Sequence, residues 1–211
     1  MTADEIKALL NLKPHPVEGG SFRRTYASEG KVDLPRGVRP QGTAIYYLLE
    51  PGTFSEMHVL ESDEIFHFYL GDPVEMLQLH PDGRSALFTL GPDLEAGQHV
   101  QLVVPAGVWQ GTRLVGGGKV ALLGCTVTPG FDFADYRSAT YEELERNQSD
   151  CILNRNPRVD GTTRERRPGT DFIRSHQLWF RSSRKMAGGS GTDQEVDQKL
   201  RGSALPKETP Q

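Results

Sequence analysis

From Thr43 to Thr128 the chain runs in short apolar bursts, each closed by Gly, Pro or Asp. TAIYYLLE (43–50), TFSEMHVL (53–60), EIFHFYLG (64–71), VEMLQLH (74–80), SALFTL (85–90), QHVQLVVP (98–105), TRLV (112–115) and KVALLGCTVT (119–128) are rich in β-branched and aromatic residues. GGSFRRTYAS (19–28) reads as an earlier strand, and KVDLPRGVRPQG (31–42) as a loop punctuated by Pro and Gly. Pro51-Gly52 and Pro81-Asp82-Gly83 are turn sequences, the second joining a hairpin. Eight or nine strands at about ten-residue spacing predict an all-β jelly-roll barrel or sandwich. Two short helices bracket it. Thr2 and Glu5 have capping-box spacing ahead of Ile6, Leu9 and Leu10, with Pro14 and Pro16 ending the helix. Thr140 and Glu143 open a second helix, YEELERN.

Residues 1–150 form the expected domain, and residues 151–211 a polar, Gly-rich tail that cannot bury enough surface to order most of its length. FIRSHQLWF (172–180) is the exception, a candidate docking element. Charge separates the two parts. The first holds 12 Lys and Arg against 21 Asp and Glu, the second 12 against 7. An acidic body argues against a nucleic-acid partner, while the basic tail suits an acidic partner or the body itself. Cys125 and Cys151 have no paired spacing, which fits a reducing compartment. No segment has the signature of a secretory signal, and VALLGCTV (120–127) is too short to span a bilayer. A cytoplasmic location without membrane attachment is expected. Strands that are apolar on both faces (AIYYLL, ALLGCTV) point to a homodimer whose second subunit covers one face.

Candidate chemistry concentrates in GTFSEMHVLESDEIFHFYLG (52–71). Alternate strand residues share a face, so His58 and Leu60 point together, and the turn at Glu61–Asp63 returns Glu64 beside them. Inward parity then runs Glu64, Phe66, Phe68. That sends His67 to the opposite face unless a bulge intervenes, so a pocket role for His67 is the weaker alternative. Arg23 and Arg24 cannot both point inward, and either could fork onto a carboxylate or phosphate. Tyr46 and Tyr47 divide in the same way. Trp109 offers either an aromatic wall or core packing, and Gln110 beside it a polar contact. His15, His80 and His99 read as loop or strand-end residues.

The spacing of Gly52, His58, Leu60, Glu64 and Gly71 resembles the first motif of the cupin superfamily, in which histidine stands at the position of Leu60. GQHVQLVVPAGVWQG (97–111) resembles the second motif through Pro105 and Gly107, with Gln110 where a further metal histidine is expected and a gap two residues longer than usual. HPVEGGSFRRTY, TAIYYLL and VPAGVWQG are similar to the cupin-5 branch: single-domain cupins, often homodimers, without a settled activity. The resemblance implies a jelly-roll barrel with an interior small-molecule pocket. It also implies a degenerate metal site of His58, Glu64 and Gln110. Two of three imidazoles are gone, leaving at most a weakly bound divalent ion. Some metal-free cupins, the deoxysugar epimerases among them, pair a histidine base with a tyrosine acid. By that analogy His58, polarised by Glu64, is the expected base and Tyr47 the acid of an isomerase or epimerase acting on a small sugar-like metabolite. Arg23 or Arg24 would hold an anionic group, and Tyr46, His67, Trp109 and Gln110 would contact the ligand. The alternatives are a non-catalytic binding module and a metal-dependent oxygenase.

Overall fold

In a computed structural model, which describes residues 1–139 and Glu143, residues 1–139 form one α-helix, one 3-10 turn (Phe133–Asp135) and thirteen strands. They are α1 (Ala3–Leu10), β1 (Lys13–Pro14), β2 (Ser21–Ala27), β3 (Lys31–Leu34), β4 (Gly37–Pro40), β5 (Thr43–Leu49), β6 (Phe54–Leu60), β7 (Asp63–Gly71), β8 (Val74–Leu79), β9 (Ser85–Leu90), β10 (Gln101–Val104), β11 (Trp109–Leu114), β12 (Ala121–Thr128) and β13 (Tyr136–Ser138). The capping box at Thr2 and Glu5 is formed, and Asn11, in the left-handed region at φ 51°, ends α1 before the prolines are reached. The expected loop at 31–42 is instead the β3–β4 hairpin, with Pro35 in its connection and Val32 paired to Arg39. β1 and β13 also fall outside the expected strands. The expected C-terminal helix, the tail and the 150/151 boundary lie outside the described residues.

Two sheets make the sandwich. One has the order β1-β2-β5-β12-β7-β10, the other β13-β6-β11-β8-β9. The β6–β7 connection therefore crosses from one sheet to the other. His58 and Glu64, on consecutive strands joined by a turn, belong to different sheets and face each other across the interior.

Strand register grades the inner face from dry to polar. On β8 and β11 the paired inward residues run Val74/Leu114, Met76/Thr112 and Gln78/Gln110. On β7 and β12 they run Phe68/Leu123, Phe66/Cys125 and Glu64/Val127. The apolar end is filled by a core that joins Tyr47, Leu49, Phe66 and Leu123 of one sheet to Val74 and Met76 of the other. A second cluster lies on the outer face, where Ile6 of α1 and Leu12 just beyond it cover Leu48, Val120 and Leu122. This explains why β5 and β12 are apolar on both faces: α1 of the same chain covers part of the outer one. Among the described residues no helix is long and apolar enough to cross a membrane.

Candidate functional site

His58 is 1 % exposed and lies at the polar end of the interior. Its Nδ1–H donates to the Glu56 carbonyl at 2.8 Å. A carbonyl only accepts, so that bond fixes the proton on Nδ1 and leaves Nε2 as the working nitrogen. Nε2 lies 3.8 Å from Glu64 Oε2, and the ring stacks on Tyr136 at 5.1 Å between centroids. Burial by itself would push the imidazole down. Glu18, then Glu64 and the Glu56 carbonyl outweigh it and hold His58 at about 9. Gln110 pairs with His58 across β6–β11, and its Nε2 donates to Glu64 Oε2 at 2.6 Å. That bond sets the amide orientation, because the flipped amide would turn its oxygen onto a carboxylate. Gln110 Oε1 is then left buried without a donor, as is Thr112 Oγ1 two residues along the same face.

A bulge builds the rest of this wall. Between the pairs Gln110/His58 and Thr112/Ser55, β6 has one residue more than β11. Strict alternation would send Ser55 outward. The extra residue brings Ser55 to the side that carries His58. Glu56 accepts from Tyr136 at 2.7 Å and from the Ser138 hydroxyl, two side chains delivered by β13 directly opposite Leu60 and His58. Burial raises the Glu56 carboxyl, with those two hydroxyls and His58 opposing.

The segment between β1 and β2 closes this end. Gly19 and Gly20 have φ of +92° and +66°, and a Cβ on Gly19 would lie 2.5 Å from the Phe54 carbonyl oxygen. Glycine alone allows the segment to lie this close to the barrel. It brings in Glu18, whose Oε2 accepts from Ser55 at 3.2 Å, and His15, whose Nε2 is 3.8 Å from Glu18 Oε1. His15 Nδ1 accepts from the backbone N–H of Glu18 at 2.9 Å, so its proton sits on Nε2. Burial lowers its pKa, with Glu18 opposing. Tyr47 is inward and 1 % exposed. Its hydroxyl donates to the Gly19 carbonyl at 3.0 Å, and burial holds it well above 10.

Of the residues singled out from sequence, the interior gathers His58, Glu64, Tyr47 and Gln110. It does not gather the others. Arg23 lies over the Tyr46 ring at 5.7 Å on the outer face, where Tyr46 packs edge-on to Tyr69. His67 is also outward, bonded to Thr126 Oγ1 at 3.1 Å and to Gln101, as the parity from Glu64 requires. Trp109 points away from the interior, alternating with Gln110. It packs with Met57, Leu77 and Leu79 and carries the Arg137 guanidinium on its ring. Arg24 has the inward parity of Phe22; the residue as a whole is exposed, but burial of its guanidinium lowers its pKa, with Asp132 opposing. Sequence reasoning missed Glu18, Ser55, Glu56, Tyr136 and Ser138 and dismissed His15. The clue available for Glu18 and His15 was their place in HPVEGG, a stretch that resembled the family but had been given no role.

The donor set does not fit a metal ion well. Leu60 has no lone pair, and Gln110 turns its amide nitrogen toward Glu64. Among the described residues no group of three or more His, Cys, Asp and Glu could hold one.

The barrel and its interior have relatives. The family model of Cupin_5, cupin superfamily (DUF985), matches residues 4–139. "Uncharacterized protein YML079W" of Saccharomyces cerevisiae is 30 % identical over 133 residues, 56 % of this chain and 66 % of that protein, just under two thirds of its length. A hypothetical protein from Leishmania major superposes with TM-score 0.67 at 30 % identity, covering 72 % of this chain and 97 % of its own. Protein SO0799 from Shewanella oneidensis gives 0.64 at 33 % identity, covering 76 % and 99 %. With the match spanning the helix and every strand described, the chain belongs to the Cupin_5 family of the cupin superfamily.

Proposed function

We propose that this cupin binds a small polar carbonyl compound in its interior and moves a proton on it, as an isomerase or epimerase does. The observation that carries the reading is the placement of His58, buried with Nδ1 on the Glu56 carbonyl at 2.8 Å and Nε2 3.8 Å from Glu64 Oε2. Carboxylates on two sides keep it protonated at neutral pH, and its Nδ1–H is committed to Glu56, so Nε2–H is the proton in play. This reverses the roles expected from sequence. His58 serves as the acid, and Tyr47, whose proton already goes to the Gly19 carbonyl, serves as a wall. His58 Nε2–H protonates the carbonyl oxygen while Glu18 removes the proton from the adjacent carbon. The C–H electron pair becomes the C=C bond of an enediol, and the carbonyl π pair becomes the new O–H bond. Return of the proton to the neighbouring carbon, or to the other face, gives the product. No step passes through a metal, because the donors here do not suit one.

The test is deuterium uptake into a mixture of aldoses and ketoses incubated with the full chain in heavy water. Wild type should label at least one of them, and His58→Gln should label it on the order of 100-fold more slowly. Retention of a sugar without labelling would favour the second reading, non-catalytic binding, which the committed Tyr47 hydroxyl also supports.

A homodimer is the companion proposal. With part of the outer face covered by α1, it rests on the outward residues Tyr26, Tyr69 and Val103, which are 57 %, 51 % and 48 % exposed. Light scattering should give twice the chain mass, and Val103→Glu should halve it. A monomeric wild type would end the idea.

A further inference from the structure

We infer that the interior ligand is an uncharged or cationic molecule rich in hydroxyl or amino donors, and that Glu18 is the residue that turns anions away. The inference rests on the reading of the interior as a ligand site and adds the ligand's chemistry. Three carboxylates, Glu18, Glu56 and Glu64, line this end of the barrel against one charged imidazole, His58. Glu56 is satisfied by Tyr136 and Ser138. Glu18 accepts from Ser55 and has His15 Nε2 at 3.8 Å, and Glu64 accepts from Gln110 with His58 Nε2 at 3.8 Å and the Cys125 thiol beside it; a carboxylate has about four acceptor sites, so Glu18 keeps the greater capacity for a ligand. An independent observation points the same way. Gln110 is fully buried at 0 % exposure, and its Oε1, fixed in place by the bond from Nε2 to Glu64, has no donor. The missing partner of an amide oxygen is an O–H or N–H, which a hydroxyl or ammonium provides and a phosphate or carboxylate does not.

Among the described residues the arginines do not redress the balance. Arg36 and Arg39 are held by Asp135, Arg113 by Glu75, and Arg23 lies on the outer face over Tyr46. Arg24 is exposed as a residue and has Asp132 as its charged neighbour. Among the described residues the anionic handle expected from sequence therefore has no arginine beside His58. A phosphate or carboxylate placed there would meet Glu18 and Glu64 in a water-poor setting, where like charges repel strongly. Glu64 is buried at 7 % exposure and the Glu18 side chain is only 15 % exposed, with its segment seated against Phe54.

Matched probes test this on the full chain. Glucose, glucosamine, glucuronate and glucose 6-phosphate share one scaffold and differ in charge. The same series is made on galactose and mannose. Affinity is read by saturation-transfer NMR. Neutral and amino members should bind at least tenfold tighter than anionic members of the same scaffold. Glu18→Gln should shrink that ratio at least fivefold, while Glu95→Gln at an exposed position leaves it unchanged. Tighter binding of the anionic members, no binding by any neutral or amino member, or an unchanged ratio in Glu18→Gln would overturn the inference. Failure of the proton-transfer reading looks different: tight, charge-selective binding with no deuterium uptake.

Discussion

A methyl group added to Gly19 would collide with the Phe54 carbonyl oxygen at 2.5 Å, and the backbone there has φ +92°. Neither partner can move cheaply, because one is backbone and the other is a left-handed turn. Gly52 has a similar φ of +82° but open space around the added methyl. Gly52→Ala should cost about 1 kcal/mol from backbone strain alone. Gly19→Ala should cost about 3 kcal/mol, since the clash adds to a comparable strain, and it should also displace Glu18 and the acceptor of the Tyr47 hydroxyl. Chemical denaturation of the two variants checks this, and equal losses would contradict it. Residues were legible from sequence where a strand period constrained them. Parity sent His67 outward, whereas His58, Glu64 and Gln110 were singled out by a spacing that resembles the cupin motifs. Glu18 and His15 sit in a connection with no period, so only a three-dimensional close approach reveals them.

At the level of elements, strands were readily legible and their irregularities hardly at all. The β6 bulge depends on which residues of β11 stand opposite, information that no single strand carries. The β3–β4 hairpin was hidden because Pro35, Gly37 and Pro40 read as loop punctuation, although the pairing between them is regular. Trp109 and Tyr46 show the limit of a residue-type argument, since each alternates with a true interior neighbour and the choice of face is a matter of register. The hairpin matters to the site through one buried group. Asp135 accepts from Arg39 Nη2 at 2.7 Å and Nε at 2.8 Å, and from Arg36 Nε at 3.1 Å. Those arginine bonds, Arg39 first, hold its carboxyl below the usual range against burial. The cluster ties the hairpin to the residue just before β13, and so to Tyr136 and Ser138. Asp135→Asn leaves the Arg39 charge buried and should lower stability by about 3–5 kcal/mol. A loss under 1 kcal/mol in urea unfolding would show that β13 is held by other means.

For the whole molecule, the barrel follows from strand count and turn chemistry, while the interior's character follows from which strands face each other. His58 and Glu64 were expected to meet inside the barrel from successive strands; those strands belong to different sheets, so the pair bridges the sandwich. That placement matters physically, because both side chains are buried there, at 2 % and 9 % exposure. Shielding is why two carboxylates can lift an imidazole that burial alone would depress, and why charge is expected to sort the ligands. The account therefore turns on the protonation of one ring. The most direct test is an NMR titration of the His58 imidazole nitrogens in the intact chain. The predicted midpoint is about 9, falling by at least one unit in Glu18→Gln and in Glu64→Gln. A wild-type midpoint at or below the ordinary histidine value of about 6.5 would contradict it.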